Sequence, residues 1–287
     1  MLSEGSAMPR HCAVWGSPIG HSLSPVLHRA AYAALGLRTW TYDRREVDVA
    51  AFPDALAGLD DTWRGLSLTM PLKEVALTAA SVVDATARDT GSANTLVATP
   101  AGWHAHNTDI HGIEAALLVA GCVDTTHALV IGSGATARSA VAALAASGTR
   151  RVTFMVRDRP RPETVEQAER AGLVVDAVAL GDWPLADVVI STVPPEAVPG
   201  LDAFPVTDRD ESPLTVLDVV YGHGPTPLQR RARACGWTLA AGTDMLLHQA
   251  AAQVTLMTGR PAPLDAMATA LAALVDPEWG TPLPTPS

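Results

Sequence analysis

The sequence predicts an α/β protein of two domains, one of them built on a mainly parallel sheet. Three observations predict it. Strand-like and helix-like segments alternate along most of the chain, and a glycine-rich turn at Gly132 to Ala137 lies between a strand pattern and a helix pattern. The third is length: 287 residues, 48% hydrophobic and 17% charged, suffice for two cores of ordinary size.

Composition excludes several classes. Cys12, Cys122 and Cys235 are odd in number, far apart and without C-x-x-C spacing, so no disulfide framework or zinc site is expected, and a reducing compartment fits. The polar stretch from Met1 to Arg10 and the lack of an apolar run of membrane-spanning length predict a cytoplasmic protein, neither secreted nor inserted. A net charge of -10 opposes a general affinity for nucleic acid. The arginines cluster once, at Arg150, Arg151, Arg157, Arg159 and Arg161.

In chain order, Cys12 to Trp15 reads as a buried strand ending at Gly16 and Pro18. Ser24 before Pro25 predicts a helix start with Ser24 as cap, continued to Gly36 by Val26, Leu27, Ala30, Ala31 and Ala34. Ser22 adds a second hydroxyl, and two hydroxyls before a helix amino terminus suit a carboxylate. A strand over 39–47, a helix over 49–59 interrupted near its start by Pro53, and a strand over 64–68 follow. Ser67 to Lys73 then lies at a strand's carboxyl end, where ligands bind in α/β sheets. A helix is expected over 72–80.

Lys73 is the only lysine; the other 19 cationic side chains are arginine. A guanidinium stays protonated, whereas an ammonium can give up its proton, so Lys73 is a candidate acid/base. Gly91 leads a turn through Asn94 into a strand, Trp103 to His106 is its expected partner, and Asn107-Thr108-Asp109 follows. Asp109 can cap a helix over 110–120, or face Lys73.

His127 to Ile131, the turn Gly132-Ser133-Gly134-Ala135-Thr136-Ala137 and a helix over 138–147 form a βαβ start with G-x-G-x-x-A in the context of a dinucleotide fingerprint. The strand 151–156 ends at Arg157-Asp158-Arg159, where arginine favours a 2′-phosphate and acid a free ribose, which favours NADP with NAD open. A helix over 163–171 and strands over 174–179, 187–191 and 215–219 complete a Rossmann-like sheet, with Thr192 and Val193 passing the nicotinamide. Helices are expected from Thr226 to Cys235, from Gly242 to about Gly259, and from Pro263 to Val275, with a disordered tail after residue 276.

Together these residues resemble the shikimate dehydrogenase family from about Ala13 to Leu274. Five motifs carry the resemblance, in the family's order: G-S-P-I-x-H-S-x-S-P at Gly16 to Pro25, T-x-P-x-K at Thr69 to Lys73, G-S-A-N-T-L at Gly91 to Leu96, N-T-D at Asn107 to Asp109, and G-x-x-M-L-x-x-Q-A at Gly242 to Ala250. The resemblance implies NADP-dependent interconversion of 3-dehydroshikimate and shikimate, a step toward aromatic amino acids. It implies Lys73 and Asp109 as the catalytic pair, Ser22, Ser24 and Tyr221 on the substrate carboxylate, and Ser67, Thr69, Asn94, Asp109 and Gln249 on the ring hydroxyls. Gly132, Ser133, Gly134, Ala135, Thr136, Arg157, Thr192, Val193, Val219, Gly242 and Met245 would contact the cofactor, and no metal is implied.

The implied architecture is a substrate domain of residues 10–111 with 243–276 and an inserted Rossmann-like domain of 112–242, the active site in the cleft between them. A monomer or homodimer is expected. Ser67 stands where the family usually has asparagine, Ala135 where a third glycine is common, and Val156-Arg157-Asp158 where Asn-Arg-Thr is usual. The alternatives are an NAD-dependent quinate or aminoshikimate dehydrogenase, a catalytically silent metabolite-binding paralogue, and an NADP enzyme of one-carbon metabolism.

Overall fold

The structure, a computed structural model, describes residues 8–122, 125–198, 214–221 and 224–283. The chain divides into two compact units. The first holds the residues up to Thr108 together with Gln249–Ala273; the second holds Asp109–His248 and the residues from Leu274 on.

The first unit contains β1 (Arg10–Gly16), α1 (Ser24–Ala34), β2 (Trp40–Glu46), α2 (Phe52–Ala57), β3 (Trp63–Leu68), α3 (Ala76–Ala79), β4 (Val82–Val83), α4 (Ala85–Thr90), β5 (Thr95–Thr99) and β6 (Gly102–His106). Its six-stranded sheet has the order β2-β1-β3-β5-β6-β4. β2 and β3 flank β1 in parallel, whereas β5 runs antiparallel to both β3 and β6. Trp15, fully buried, meets Phe52 and Trp63 edge-on at 6.2 and 6.3 Å, and Leu66, Leu68, Leu72 and Leu96 complete that core.

Several expectations are corrected here. Ser24 is not a cap: the N-cap is Leu23, without a side-chain bond, and the Ser22 hydroxyl accepts from the Ser24 N–H at 3.3 Å. Pro53 sits in the first turn of α2, where a missing N–H costs nothing, so α2 begins there instead of being interrupted. The helix expected over 72–80 is confined to α3; residues 69–72 form a turn closed by Leu72 N–H on the Thr69 carbonyl at 2.8 Å. β4 and α4 were not foreseen. Asp84 caps α4, accepting from Ala87 N–H at 2.7 Å, and Gly91 ends it at φ 57°, the left-handed conformation glycine adopts without strain.

The second unit contains α5 (Asp109–Val119), β7 (His127–Ile131), α6 (Ala135–Ala146), β8 (Arg151–Val156), α7 (Pro162–Arg170), β9 (Val174–Ala179), β10 (Val188–Ser191), β11 (Thr215–Asp218), α8 (Pro227–Ala234), β12 (Thr238–Ala240) and the start of α9 (Gly242–Thr258). All six strands are parallel, in the order β12-β11-β10-β7-β8-β9. This doubly wound order reverses direction between β7 and β10, which is where such sheets bind ligands. β7 is buried over Ala128 to Ile131, as an interior parallel strand must be, and α6 packs small alanines against it.

Asp109 lies inside the first turn of α5, where a carboxylate favours the helix dipole. β12 was not foreseen; three residues are too few to show a period. In α8 the Thr226 hydroxyl accepts from Gln229 N–H while the Gln229 side chain accepts from Thr226 N–H, a full capping box.

The last helix, α10 (Leu264–Ala272), packs on α1 and ends before Val275. The tail expected to be disordered is ordered through Leu283: β13 (Val275–Asp276) pairs with β14 (Thr281–Pro282), and Arg233 bonds Glu278 at 2.8 Å and covers the Trp279 ring at 4.5 Å. Residues 284–287 lie outside the described ones.

Candidate active site

In the first unit, sheet register gathers the predicted substrate residues at one end of the strands. β1 and β3 are parallel with Trp15 beside Leu68, so the Ser22–Ser24 turn and the Thr69–Lys73 segment leave the sheet on the same side. β5 is antiparallel with Thr95 opposite Ser67, so Asn94 enters there, and β6 delivers Asn107 and Thr108 to the same side. Leu68 N–H donates to the Asn94 carbonyl at 2.7 Å and Ala93 N–H to that of Lys73 at 2.7 Å, fastening the lysine segment to the Asn94 turn.

Gly16 makes the first of these approaches possible. A methyl there would collide with Thr69 Cγ2 and stand 2.8 Å from the Met70 carbonyl oxygen. The bare glycine lets Ser17 N–H reach that oxygen at 3.0 Å and Thr69 N–H reach the Trp15 carbonyl at 3.0 Å. Beneath α1, His28 Nδ1 donates to the Ser24 carbonyl at 3.0 Å, and complete burial lowers its pKa to about 4, so the ring is neutral at physiological pH.

The amides form a tight cluster. Asn94 Nδ2 donates to Thr108 Oγ1 at 2.9 Å and to Gln249 Oε1 at 3.3 Å, while its Oδ1 accepts from Thr108 N–H and Thr95 Oγ1, both at 2.8 Å. The Ser67 hydroxyl accepts from Tyr42 Oη at 2.6 Å and donates to Gln253 Oε1 at 2.7 Å, so its one proton is committed within the fold. Lys73 is half-buried and Thr69 likewise. Gln253, Tyr42, Thr95 and Thr108 were missed by the sequence reading. Gln253 could have been found from its place one helical turn beyond Gln249.

In the second unit, Asp109 is buried at 4% exposure and Tyr221 is half-buried beyond β11. The fingerprint loop follows β7. Gly132 has φ 99°, and a Cβ there would stand 2.7 Å from Val193 Cγ1 and 2.8 Å from Thr192 Oγ1, so the loops after β7 and β10 touch. The N-cap of α6, Gly134, carries no side-chain cap, and the dipole of the helix favours an anion at this end. Ser133 ties the loop to the segment after β8, accepting from Arg161 N–H at 3.1 Å on its hydroxyl and from Thr164 Oγ1 at 2.8 Å on its carbonyl. These features fit a dinucleotide's pyrophosphate.

Ala135 and Thr136 open α6, and Arg157 is exposed at the end of β8. Arg151, from the same basic cluster, is held by Asp176 across β8 and β9. Val219 follows β11, and its N–H donates to the Ser191 carbonyl at 3.1 Å. Gly242 approaches the Asp218 carbonyl so closely that a Cβ would lie 2.6 Å from it. Met245 packs into the hydrophobic core of this unit. Asp218 itself, 1% exposed, accepts from Thr226 Oγ1 at 2.8 Å, and burial raises its pKa to about 6. Among the described residues, no group of three or more His, Cys, Asp or Glu side chains could hold a metal, and no helix is long and apolar enough to cross a membrane.

Comparison with known proteins finds the shikimate dehydrogenase substrate binding domain over residues 14–96 and the shikimate 5′-dehydrogenase C-terminal domain over residues 242–272. The chain is 37% identical to a Halobacterium salinarum protein named shikimate dehydrogenase (NADP(+)), over 90% of this chain and 97% of that one. A protein of the same name from Thermosynechococcus vestitus is 34% identical over 90% and 93%. Among solved structures, shikimate dehydrogenase from Mycobacterium tuberculosis superposes with a TM-score of 0.83 at 43% identity, covering 93% of this chain and all of that one. Shikimate 5-dehydrogenase from Thermus thermophilus, in complex with NADP(H) and shikimate, gives 0.78 at 31% identity, covering 91% and 98%.

Proposed function

The chain belongs to the shikimate dehydrogenase family, and from that premise we propose how its own residues interconvert 3-dehydroshikimate and shikimate. It is an NADP-dependent oxidoreductase of the shikimate pathway. The observation that carries the residue assignment is the cluster at the ends of the sheet's interior strands, where Asn94, Thr108 and Gln249 interlock beside the segment that bears the chain's one lysine.

NADP, when bound, carries the hydride to or from the substrate's C3. Lys73 gives or takes the proton at the C3 oxygen, a task its ammonium can perform and a guanidinium cannot. Asp109 favours the protonated lysine and orients it. Ser22 and Ser24, at the amino end of α1, hold the substrate carboxylate with Tyr221, because hydroxyl donors and helix dipole there act in the same sense. Thr69, Asn94, Asp109 and Gln249 bind the ring hydroxyls; Ser67, whose proton goes to Gln253, joins them only as an acceptor.

Gly132 to Thr136 cradle the pyrophosphate, Thr192, Val193, Val219, Gly242 and Met245 border the nicotinamide, and Arg157 reads the 2′-phosphate. Residues 10–111 with 243–276 serve substrate and 112–242 serve cofactor. All three cysteines are free, which supports a reducing, cytoplasmic setting, and the net charge of -10 supports a small-molecule partner over nucleic acid, with the protein a monomer or homodimer.

The test is direct. Purified protein with shikimate and NADP is expected to accumulate reduced nicotinamide, and faster than with NAD. Shikimate binding without reduction of either cofactor would replace the catalytic reading with that of a metabolite binder.

A further inference from the structure

We propose that Gln253 is a positioning residue for the substrate: with Tyr42, Ser67 and Thr95 it forms a buried, one-way hydrogen-bond relay that sets which end of the Asn94 and Gln249 amides faces the ring hydroxyls. This rests on the reading of Asn94 and Gln249 as substrate-binding residues.

The relay exists because two repeats match. Gln249, Gln253 and Met257 recur every four residues on α9, a rise of about 6 Å per step. Gly65 and Ser67 are two apart on β3, a rise of about 6.6 Å. Gly65 has no side chain, and Met257 fills the space: a Cβ at Gly65 would lie 2.5 Å from Met257 Cγ. One turn earlier, Gln253 therefore meets Ser67, and across β3 and β5 Thr95 stands directly opposite.

Donors and acceptors then run in one direction. Tyr42 Oη donates to Ser67 Oγ at 2.6 Å, and Ser67 passes its proton to Gln253 Oε1 at 2.7 Å. With its oxygen taken, the Gln253 amide directs Nε2 to the Asn94 carbonyl at 3.2 Å and to Thr95 Oγ1 at 3.0 Å. Thr95 in turn donates to Asn94 Oδ1 at 2.8 Å, beside the Thr108 N–H at 2.8 Å, and the two together leave Asn94 Nδ2 toward Gln249 Oε1 at 3.3 Å. Reversing any one member would set acceptor against acceptor.

All six side chains are buried, Gln253 to 1% exposure, so water does not substitute for a lost member. At the head of the chain, His28 stacks on Tyr42 at 3.8 Å and 17° while donating to the Ser24 carbonyl, which joins the relay to the carboxylate end of the site.

The experiment compares wild type with Gln253→Met, close in size but without donors, on shikimate and on analogues lacking the C4 or the C5 hydroxyl. Loss of an orienting bond should raise KM for shikimate about 10- to 100-fold, with KM for NADP within about twofold. For the analogue that lacks the hydroxyl these amides hold, variant and wild type should converge to within about threefold. Equal losses on shikimate and both analogues, or wild-type KM for shikimate, would overturn the proposal. Should Gln253→Met not fold, Thr95→Val, close in shape and lacking only the hydroxyl that links the Gln253 and Asn94 amides, carries the same comparison, with the same results supporting or overturning the relay. Failure of wild type itself to oxidise shikimate would refute the functional reading instead.

Discussion

Replacing Gly132 with alanine sets two independent penalties on one methyl group. The residue's φ of 99° lies in the region that an L side chain disfavours, at a cost of about 1–2 kcal/mol. The new Cβ would also stand 2.7 Å from Val193 Cγ1 and 2.8 Å from Thr192 Oγ1, inside van der Waals contact. Moving Thr192 aside breaks its hydroxyl bond to the Ile131 carbonyl, now 2.8 Å, for about another 1 kcal/mol. The sum, about 2–3 kcal/mol, corresponds to roughly a 30- to 150-fold change in an equilibrium constant. Because the fingerprint loop and the Thr192–Val193 loop share this contact, the change should fall on NADP affinity and on the melting of the cofactor unit. Calorimetric titration with NADP, thermal unfolding, and KM for shikimate at saturating NADP measure it; the last should stay within about twofold. A Gly132→Ala protein that binds NADP and melts like wild type would show that the two loops are not held as described.

Two further predictions concern the same unit. Burial raises the Asp218 pKa to about 6, so the folded protein holds this proton where the unfolded chain releases it. Stability should therefore decline as pH rises from about 4 to 6, by up to about 3 kcal/mol, and Asp218→Asn should remove that decline while still accepting from Thr226; urea unfolding across the window checks it, and equal pH slopes would refute it. Arg157→Ala should raise KM for NADP far more than KM for NAD, and equal effects would show that Arg157 does not touch a 2′-phosphate.

The second unit was legible because its signals are local. A four-residue apolar run after His127, a glycine turn and an alanine-rich helix follow one another in sequence, and the strand 127–131 came out with the bounds the structure gives. The polar residues of the first unit were legible by type and motif. Their supporting layer was not: Ser67 and Gln253 are 186 residues apart, and only the register of β3 against α9 joins them. Short elements failed for a related reason. β4 and β14 have two residues each, too few for a periodic pattern, and their existence depends on partners at His104–Ala105 and Val275–Asp276. Ser24 failed differently: it opens α1 itself, and the Ser22 hydroxyl two residues earlier took the bond from its N–H.

The central claim is that Lys73 moves a proton and does not merely supply charge. The measurement that tests it most directly is kcat for shikimate oxidation in Lys73→Arg beside Lys73→Ala, followed by the absorbance of reduced NADP. Both variants should lose about 10²- to 10⁴-fold in kcat with KM for NADP little changed. A Lys73→Arg protein that keeps wild-type kcat would contradict it, since a permanently charged side chain would then suffice.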